Sequence, residues 1–430
     1  MRRLALLFVM LVSGFFASAQ LKTDLFLKQI LESGPDTLMQ RMLKNKDKYR
    51  IQIIYTQIDR DAKNRPSFRN FYFNAGDSLY YYPASTVKLP LAALCLEKLH
   101  KMDRPGVNKF TAIQYDSSFS GQKPLYRDST SETGLPSIAQ FIRKAFLISD
   151  NDAYNRMYEF VGQQEINRNL HAKGYDRTRI VRQFMHLSEW ENRHTNQVRF
   201  LDASGKSIYT QPPALNADSF DFSRPALLGR AYFDWKDSLI NAPMNFTRHN
   251  NMPLEDLQQI LQSILFPKSV PERQRFHLAT EDYDFLWRYL SQYPSETPWP
   301  KYDTSEFYDS YVKFFFQGGG HRLPPAVRVF NKVGWAYGCL TDVSYIVDFD
   351  HNIEFMLAAT VYTNEDEILN DDKYEFETEG MPFLYDVGQT IYQYDLHRER
   401  KFRSDLRDFK LHYEHRDPGD SRPSIRVVDN

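Results

Sequence analysis

The chain has 430 residues, 42% of them hydrophobic and 25% charged, with a formal net charge of −1. That is an ordinary globular composition with ample material for a core. The near-neutral balance argues against a nucleic-acid binder and gives no electrostatic pull toward an anionic membrane surface.

The N-terminus reads MRRLALLFVMLVSGFFASAQ. Arg2 and Arg3 precede an apolar run from Leu4 to Phe16, and Ala17-Ser18-Ala19 fits an A-x-A cleavage site. Residues 1–19 are therefore expected to be a secretory signal peptide, cut before Gln20, with the mature protein periplasmic or secreted. The apolar run is too short to span a bilayer comfortably. No later segment offers a crossing, so no stable membrane insertion is expected.

Residues 21–45 predict an amphipathic helix broken at Gly34-Pro35-Asp36. RIQIIYTQID (50–59) and FRNFYFNAG (68–76) predict two strands paired across a polar turn. From Pro83 to about 290 the periodicity is mainly helical: 137–148, 152–170, 253–266 and 281–293. Between them, 186–250 is long, polar and rich in Asn, Pro and Arg, the length at which a connection is usually functional. After Gly318-Gly319-Gly320 three strands are expected, at 327–335, 341–349 and 355–363, then a closing helix over 381–396. The tail 398–430 is charged and proline-containing and is expected to be loosely ordered. Cys95 and Cys339 are read as free and buried, with a disulfide between them as the alternative.

This order predicts an α/β (α+β) architecture. A five-stranded antiparallel sheet takes its strands from both ends of the chain and is flanked by the terminal helices. An all-helical block is inserted into it, with a cleft where the two parts meet. The expected boundaries are 20–82 and 326–397 for the α/β part and 83–325 for the helical part, all within one domain spanning 20–397.

Three short motifs sit at the joints of this plan. In YYPASTVKLPLAALCLEKL, Ser85 and Lys88 are i, i+3 neighbours at the head of an otherwise apolar helix. A buried lysine is costly unless its charge is used or removed. Beside a serine at a helix N-terminus it makes a base for a nucleophile, and the serine's free N–H is half of an oxyanion hole. Ser149-Asp150-Asn151 lies between two helices. Its serine is suited to relay a proton, and its asparagine amide to grip a substrate carbonyl. Lys332-Val333-Gly334 lies on the first strand after the glycine run. Lys332 biases the site toward anions, Gly334 permits close approach of a substrate backbone, and the N–H of Trp335 is the candidate second half of the oxyanion hole. Each tripeptide alone is common by chance, and S-D-N is also an ordinary helix cap. All three in this order, each at an element boundary, is a far rarer event.

The set resembles the active-site serine β-lactamases and penicillin-binding proteins, with their S-x-x-K, S-D-N and K-T-G motifs. It is most similar to class A β-lactamases, over roughly 21–397. Asn155 in SDNDAYN extends the match, and GYDRTRIVR (174–182) resembles the lead-in to that family's omega loop. The resemblance implies the two-part fold and an acyl-enzyme mechanism through Ser85. Two features depart from it. Phe184 stands where the resemblance calls for a deacylating glutamate, so Glu191, or alternatively Glu189, is the candidate replacement. Val333 lacks the motif's hydroxyl, and no arginine is evident on the following strand, where Thr341-Asp342 stands. Arg328, Arg193 and Arg199 are candidate substitutes.

The expected function is an exported serine hydrolase of the class A β-lactamase type. Ser85, Lys88, Ser149 and Glu191 are expected to be catalytic, and Asn151, Lys332, Gly334 and Trp335 to bind substrate. The substrate is a small molecule or peptide, a β-lactam or a cell-wall peptide. The alternatives are a penicillin-binding-type peptidase or esterase with little β-lactamase turnover, and a catalytically silent binding module. Neither metal nor cofactor is expected. The chain lacks H-E-x-x-H, C-x-x-C and a phosphate-binding loop, and it is expected to act as a monomer.

Overall fold

The computed structural model describes residues 21–117 and 122–428. The expected signal peptide lies outside them.

The first helical stretch is two helices, α1 (Leu25–Glu32) and α2 (Thr37–Lys44). They separate at Pro35, and the Asp36 carboxylate caps α2 by accepting from Met39 N at 2.7 Å. A five-stranded antiparallel sheet follows the predicted plan. Its spatial order is Val327–Ala336, Cys339–Asp348, Ile353–Tyr362, Gln52–Arg60, Pro66–Phe73. The two ends of the chain meet where Ile54 pairs with Ala358.

Alternation along these strands sorts their side chains into two layers. Ile53, Tyr55, Val333, Leu340, Phe355 and Leu357 face one apolar layer, which they share with α1, α2 and the closing helix. Ile54, Ile58, Phe330, Val343, Tyr345 and Met356 face the other, shared with the inserted block. The sheet is thus buried on both faces. The strand Val327–Ala336 is its edge, and that edge looks onto the cleft.

The inserted block contains α3 (Lys88–Met102), α4 (Ile138–Leu147), α5 (Asn151–Val161), α6 (Gln163–Ala172), α7 (Leu254–Leu265) and α8 (Thr280–Ser291). The short α9 (Phe314–Gln317) and then α10 (Met381–His397) pack under the sheet. The helix expected over 152–170 is divided by Gly162, whose φ of +86° no helix accepts. The block is also not all helical. Ala112–Tyr115, Val198–Leu201 and Ser207–Gln211 form a small sheet. Segment 186–250 carries further two- and three-residue strands, and Ala231–Phe233 pairs in parallel with Ile368–Leu369 from beyond the main sheet. These strands are shorter than the window over which alternation can be read.

The tail is ordered, contrary to expectation. Leu406 and Phe409 are buried, and the Phe409 ring packs on Tyr345 at 4.8 Å and on Phe266 and Trp287 at 5.2 Å. Arg416 donates to the carbonyls of Tyr302 at 2.9 Å and Pro294 at 2.8 Å. Two apolar anchors, with arginines satisfying loop carbonyls, hold a strap that composition alone reads as loose. Cys95 and Cys339 are both free and buried. No described helix is long and apolar enough to cross a membrane.

Candidate active site

Ser85 sits in a tight turn, Ala84–Val87, that runs directly into α3 at Lys88. Thr86 closes the turn, its N–H and hydroxyl both donating to Pro83 O, at 3.0 and 2.6 Å. Ala84 has φ +43°, a strained value for a residue with a Cβ. Ser85 is therefore presented by a bent, over-determined segment.

The Lys88 amine lies 2.8 Å from Ser85 Oγ, 2.7 Å from Asn151 Oδ1 and 3.3 Å from Ser149 Oγ, and it also donates to Ser149 O. Ser149 adopts φ +65° in the link between α4 and α5, which turns its oxygens toward the amine. The Asp150 carboxylate faces the other way and caps α5 by accepting from Ala153 N at 2.8 Å. One tripeptide therefore ends a linker, starts a helix and furnishes two polar side chains. The Lys332 amine reaches the same hydroxyl, 2.8 Å from Ser149 Oγ, and donates to Val333 O at 2.8 Å. Ser149 Oγ is thus bracketed by two amines.

Both amines are fully desolvated, and burial disfavours the charged form. It pulls Lys88 down to about 7, against the opposing attraction of Asp150. Lys332 falls well below its usual range, through burial and then the adjacent Lys88 charge. Lys88 is consequently able to accept a proton near neutral pH, which an exposed lysine is not.

Gly334 is also needed by the protein's own packing. A Cβ there would lie 2.6 Å from Pro83 O and 2.9 Å from Ser85 N. Its missing side chain admits the protein's own serine turn against the edge strand. Gly334→Ala is expected to push that turn away, lowering Ser85 acylation at least tenfold and destabilising the fold by about 1–3 kcal/mol from overpacking. Acylation kinetics together with urea unfolding measure both. A wild-type rate in a stable variant contradicts the close-approach account.

Ser85, Asn151 and Trp335 line a cleft of about 860 Å³, while Lys88, Ser149 and Lys332 are buried. Tyr82, Arg182, Phe184, Tyr337, His249, Asp372 and Tyr374 complete much of its wall. Sequence reasoning did not place Tyr82, Arg182, His249, Asp372 and Tyr374 in the cleft. They come from segments far apart in the chain, and apart from Arg182, which ends GYDRTRIVR, they carry no motif. Burial and the nearby Arg182 charge push the His249 imidazole down to about 4, leaving it neutral at pH 7.

Glu191 does not join this group. Its carboxylate accepts from Ser188 N at 2.6 Å, and Ser188 Oγ accepts from Glu191 N at 3.2 Å. This is a capping box, and the S-x-x-E spacing of Ser188 and Glu191 is its signature. Glu189 is likewise engaged, with Arg248 at 2.8 Å. The place expected to hold a carboxylate is occupied by the Phe184 ring, whose centroid is 5.2 Å from the Lys88 amine and 4.3 Å from the Tyr154 ring. Asn155 holds that position from behind, accepting from Phe184 N at 2.8 Å.

The candidate arginines are spent elsewhere. Arg328 pairs with Glu296 at 2.6 Å and Arg199 with Asp116 at 2.8 Å, while Arg193 donates to Asp218 O at 2.7 Å. Val333 is fully buried in the layer beneath the terminal helices. Among the described residues no cluster of three or more His, Cys, Asp or Glu is arranged to hold a metal.

Residues 36–212 match the β-lactamase enzyme family. No curated protein sequence matches the chain. Similar solved structures include β-lactamases from Sphaerobacter thermophilus, Xanthomonas campestris pv. campestris and Desulfarculus baarsii. The first is 13% identical, covering 83% of this chain and 95% of its own, with a TM-score of 0.44. The second is 14% identical, covering 83% and 97%, with a TM-score of 0.44. The third is 13% identical, covering 84% and 97%, again with a TM-score of 0.44.

Proposed function

We propose that this β-lactamase-like serine hydrolase is an exported acyl-transfer enzyme of penicillin-binding type, which acylates quickly at Ser85 and releases the acyl group slowly. Neutral Lys88 takes the Ser85 proton as Oγ attacks the substrate carbonyl, and the N–H groups of Ser85 and Trp335 bind the oxyanion. Ser149 then passes a proton to the leaving nitrogen or oxygen, with Lys332 holding the serine in place. Asn151 orients the substrate amide.

The observation that carries this reading over a fast β-lactamase is the Phe184 ring above Lys88, together with the capping of Glu191 away from the cleft. A carboxylate poised to activate water is what rapid deacylation requires. The desolvated Lys88, hydrogen-bonded among Ser85, Ser149 and Asn151, argues against a silent binding module. A binding surface gains nothing from the cost of burying that amine.

Incubation with a penicillin, followed by intact mass and peptide mapping, tests the proposal. The expected result is a lasting adduct on Ser85, absent from Ser85→Ala. Rapid product formation without an adduct indicates a β-lactamase instead. No adduct with penicillins or activated esters contradicts both enzymatic readings.

A further inference from the structure

The hairpin that ends the edge strand carries an unusual residue. Tyr337 and Gly338 are the two central residues between the paired Ala336 and Cys339, and both have positive φ, +51° and +76°. Two-residue turns of this kind favour Asn-Gly or Gly-Gly, because left-handed backbone crowds a Cβ. A bulky aromatic there is an outlier, and outliers of this sort cluster at functional sites.

The packing shows what holds the ring. Tyr337 stands edge-on to Tyr82 at 4.9 Å and to Phe246 at 5.0 Å. Tyr82 lies three residues before Ser85, and Phe246 belongs to the long 186–250 segment. The ring thus joins the edge strand, the serine turn and the insertion. It remains half-buried and lines the cleft with Phe184, Trp335 and Tyr374. An asparagine would suit the turn better and would do none of this.

We infer that Tyr337 is a specificity-determining residue, and that the cleft takes acyl donors whose acyl chain carries a flat apolar group, an aryl ring, laid against it. This rests on the acyl-enzyme reading above. Aromatic rings meet one another in edge-on or offset arrangements, and Tyr82, Phe184, Trp335, Tyr337 and Tyr374 all line the cleft. Arg182 and Asp372 also line the cleft and offer charged partners for polar ends of the substrate.

The test compares p-nitrophenyl acetate with p-nitrophenyl phenylacetate, which share a leaving group and differ by one aryl ring. Wild-type protein is expected to favour the phenylacetate in kcat/KM. Tyr337→Asn is expected to lower that preference about tenfold, the scale of one aromatic contact, beyond any change it makes to the acetate rate, with the fold retained because asparagine fits the turn. Tyr337→Phe keeps the preference. An unchanged ratio in Tyr337→Asn overturns the inference, as does an equal loss on both esters. A second measurement separates its failure from failure of the acyl-enzyme reading. Calorimetry on Ser85→Ala compares binding of phenylacetamide and acetamide with and without Tyr337→Asn. A preference for phenylacetamide that Tyr337→Asn abolishes supports the inference even if Ser85 proves unreactive; equal binding overturns it.

Discussion

Lys88→Met lowers the rate of Ser85 acylation by about 10²–10⁴-fold, the usual worth of a positioned general base, while the protein still folds. Methionine fills the same apolar helix head without an amine to desolvate. It leaves Asn151 Oδ1 and Ser149 O without a donor, which costs about 1–3 kcal/mol per group left unsatisfied. The same substitution changes how stability depends on pH. Lys88 sits at about 7 in the folded protein, against an ordinary 10.5. Below about pH 7 folded and unfolded chains both carry the proton, and the folded state bears the full cost of the buried charge. Between about 7 and 10.5 the unfolded chain holds more protons, so this group makes stability rise with pH. Lys88→Met removes that part of the rise, and urea unfolding at pH 7 and pH 9.5 measures the difference. An identical pH dependence in the variant would show that the amine is not desolvated.

Phe184→Glu is expected to have the second large effect, and on the opposite half of the cycle. It places a carboxylate where the aromatic ring now covers Lys88, in a segment whose backbone Asn155 already fixes at 2.8 Å. Release of the acyl group from Ser85 is expected to accelerate by about 10²-fold or more, the scale of added general-base catalysis. The new negative charge also favours the charged form of Lys88 and moves its pKa upward, so acylation at neutral pH slows in the same variant. Adduct lifetime by intact mass reads the first effect and the acylation burst the second. A variant that acylates more slowly yet releases no faster contradicts the view that Phe184 sets the lifetime of the adduct.

Those two residues also mark what was legible in the sequence. Lys88 was readable because a charge in an apolar helix demands a partner, and Ser85, one turn away, is the nearest. The five strands were readable because each is a long run of β-branched, aromatic and apolar residues bounded by turns, and Lys332 and Gly334 were readable as the third motif of the set. Phe184 could be read as a departure from a pattern. Its ring above the amine could not, because nothing local says where a loop aromatic points. Glu191 misled for a related reason. Its S-x-x-E spacing from Ser188 fits a capping box, and the carboxylate is engaged there rather than in the cleft. The tail misled because two anchors, Leu406 and Phe409, are too few to alter its composition yet enough to pin it against the body. The cleft wall of Tyr82, His249, Asp372 and Tyr374 is a product of tertiary folding, assembled from segments whose spacing carries no signal.

The pH dependence of the Ser85 acylation rate constant tests the central claim, a desolvated lysine neutral enough to act as base, most directly. It is measured from the burst with an activated ester under single-turnover conditions. The account predicts a rate that rises with pH through a single transition with its midpoint near 7 and is lost below it, as Lys88 becomes protonated. That transition is absent from Lys88→Met. A midpoint near that of an ordinary lysine, or the same transition persisting in Lys88→Met, contradicts it.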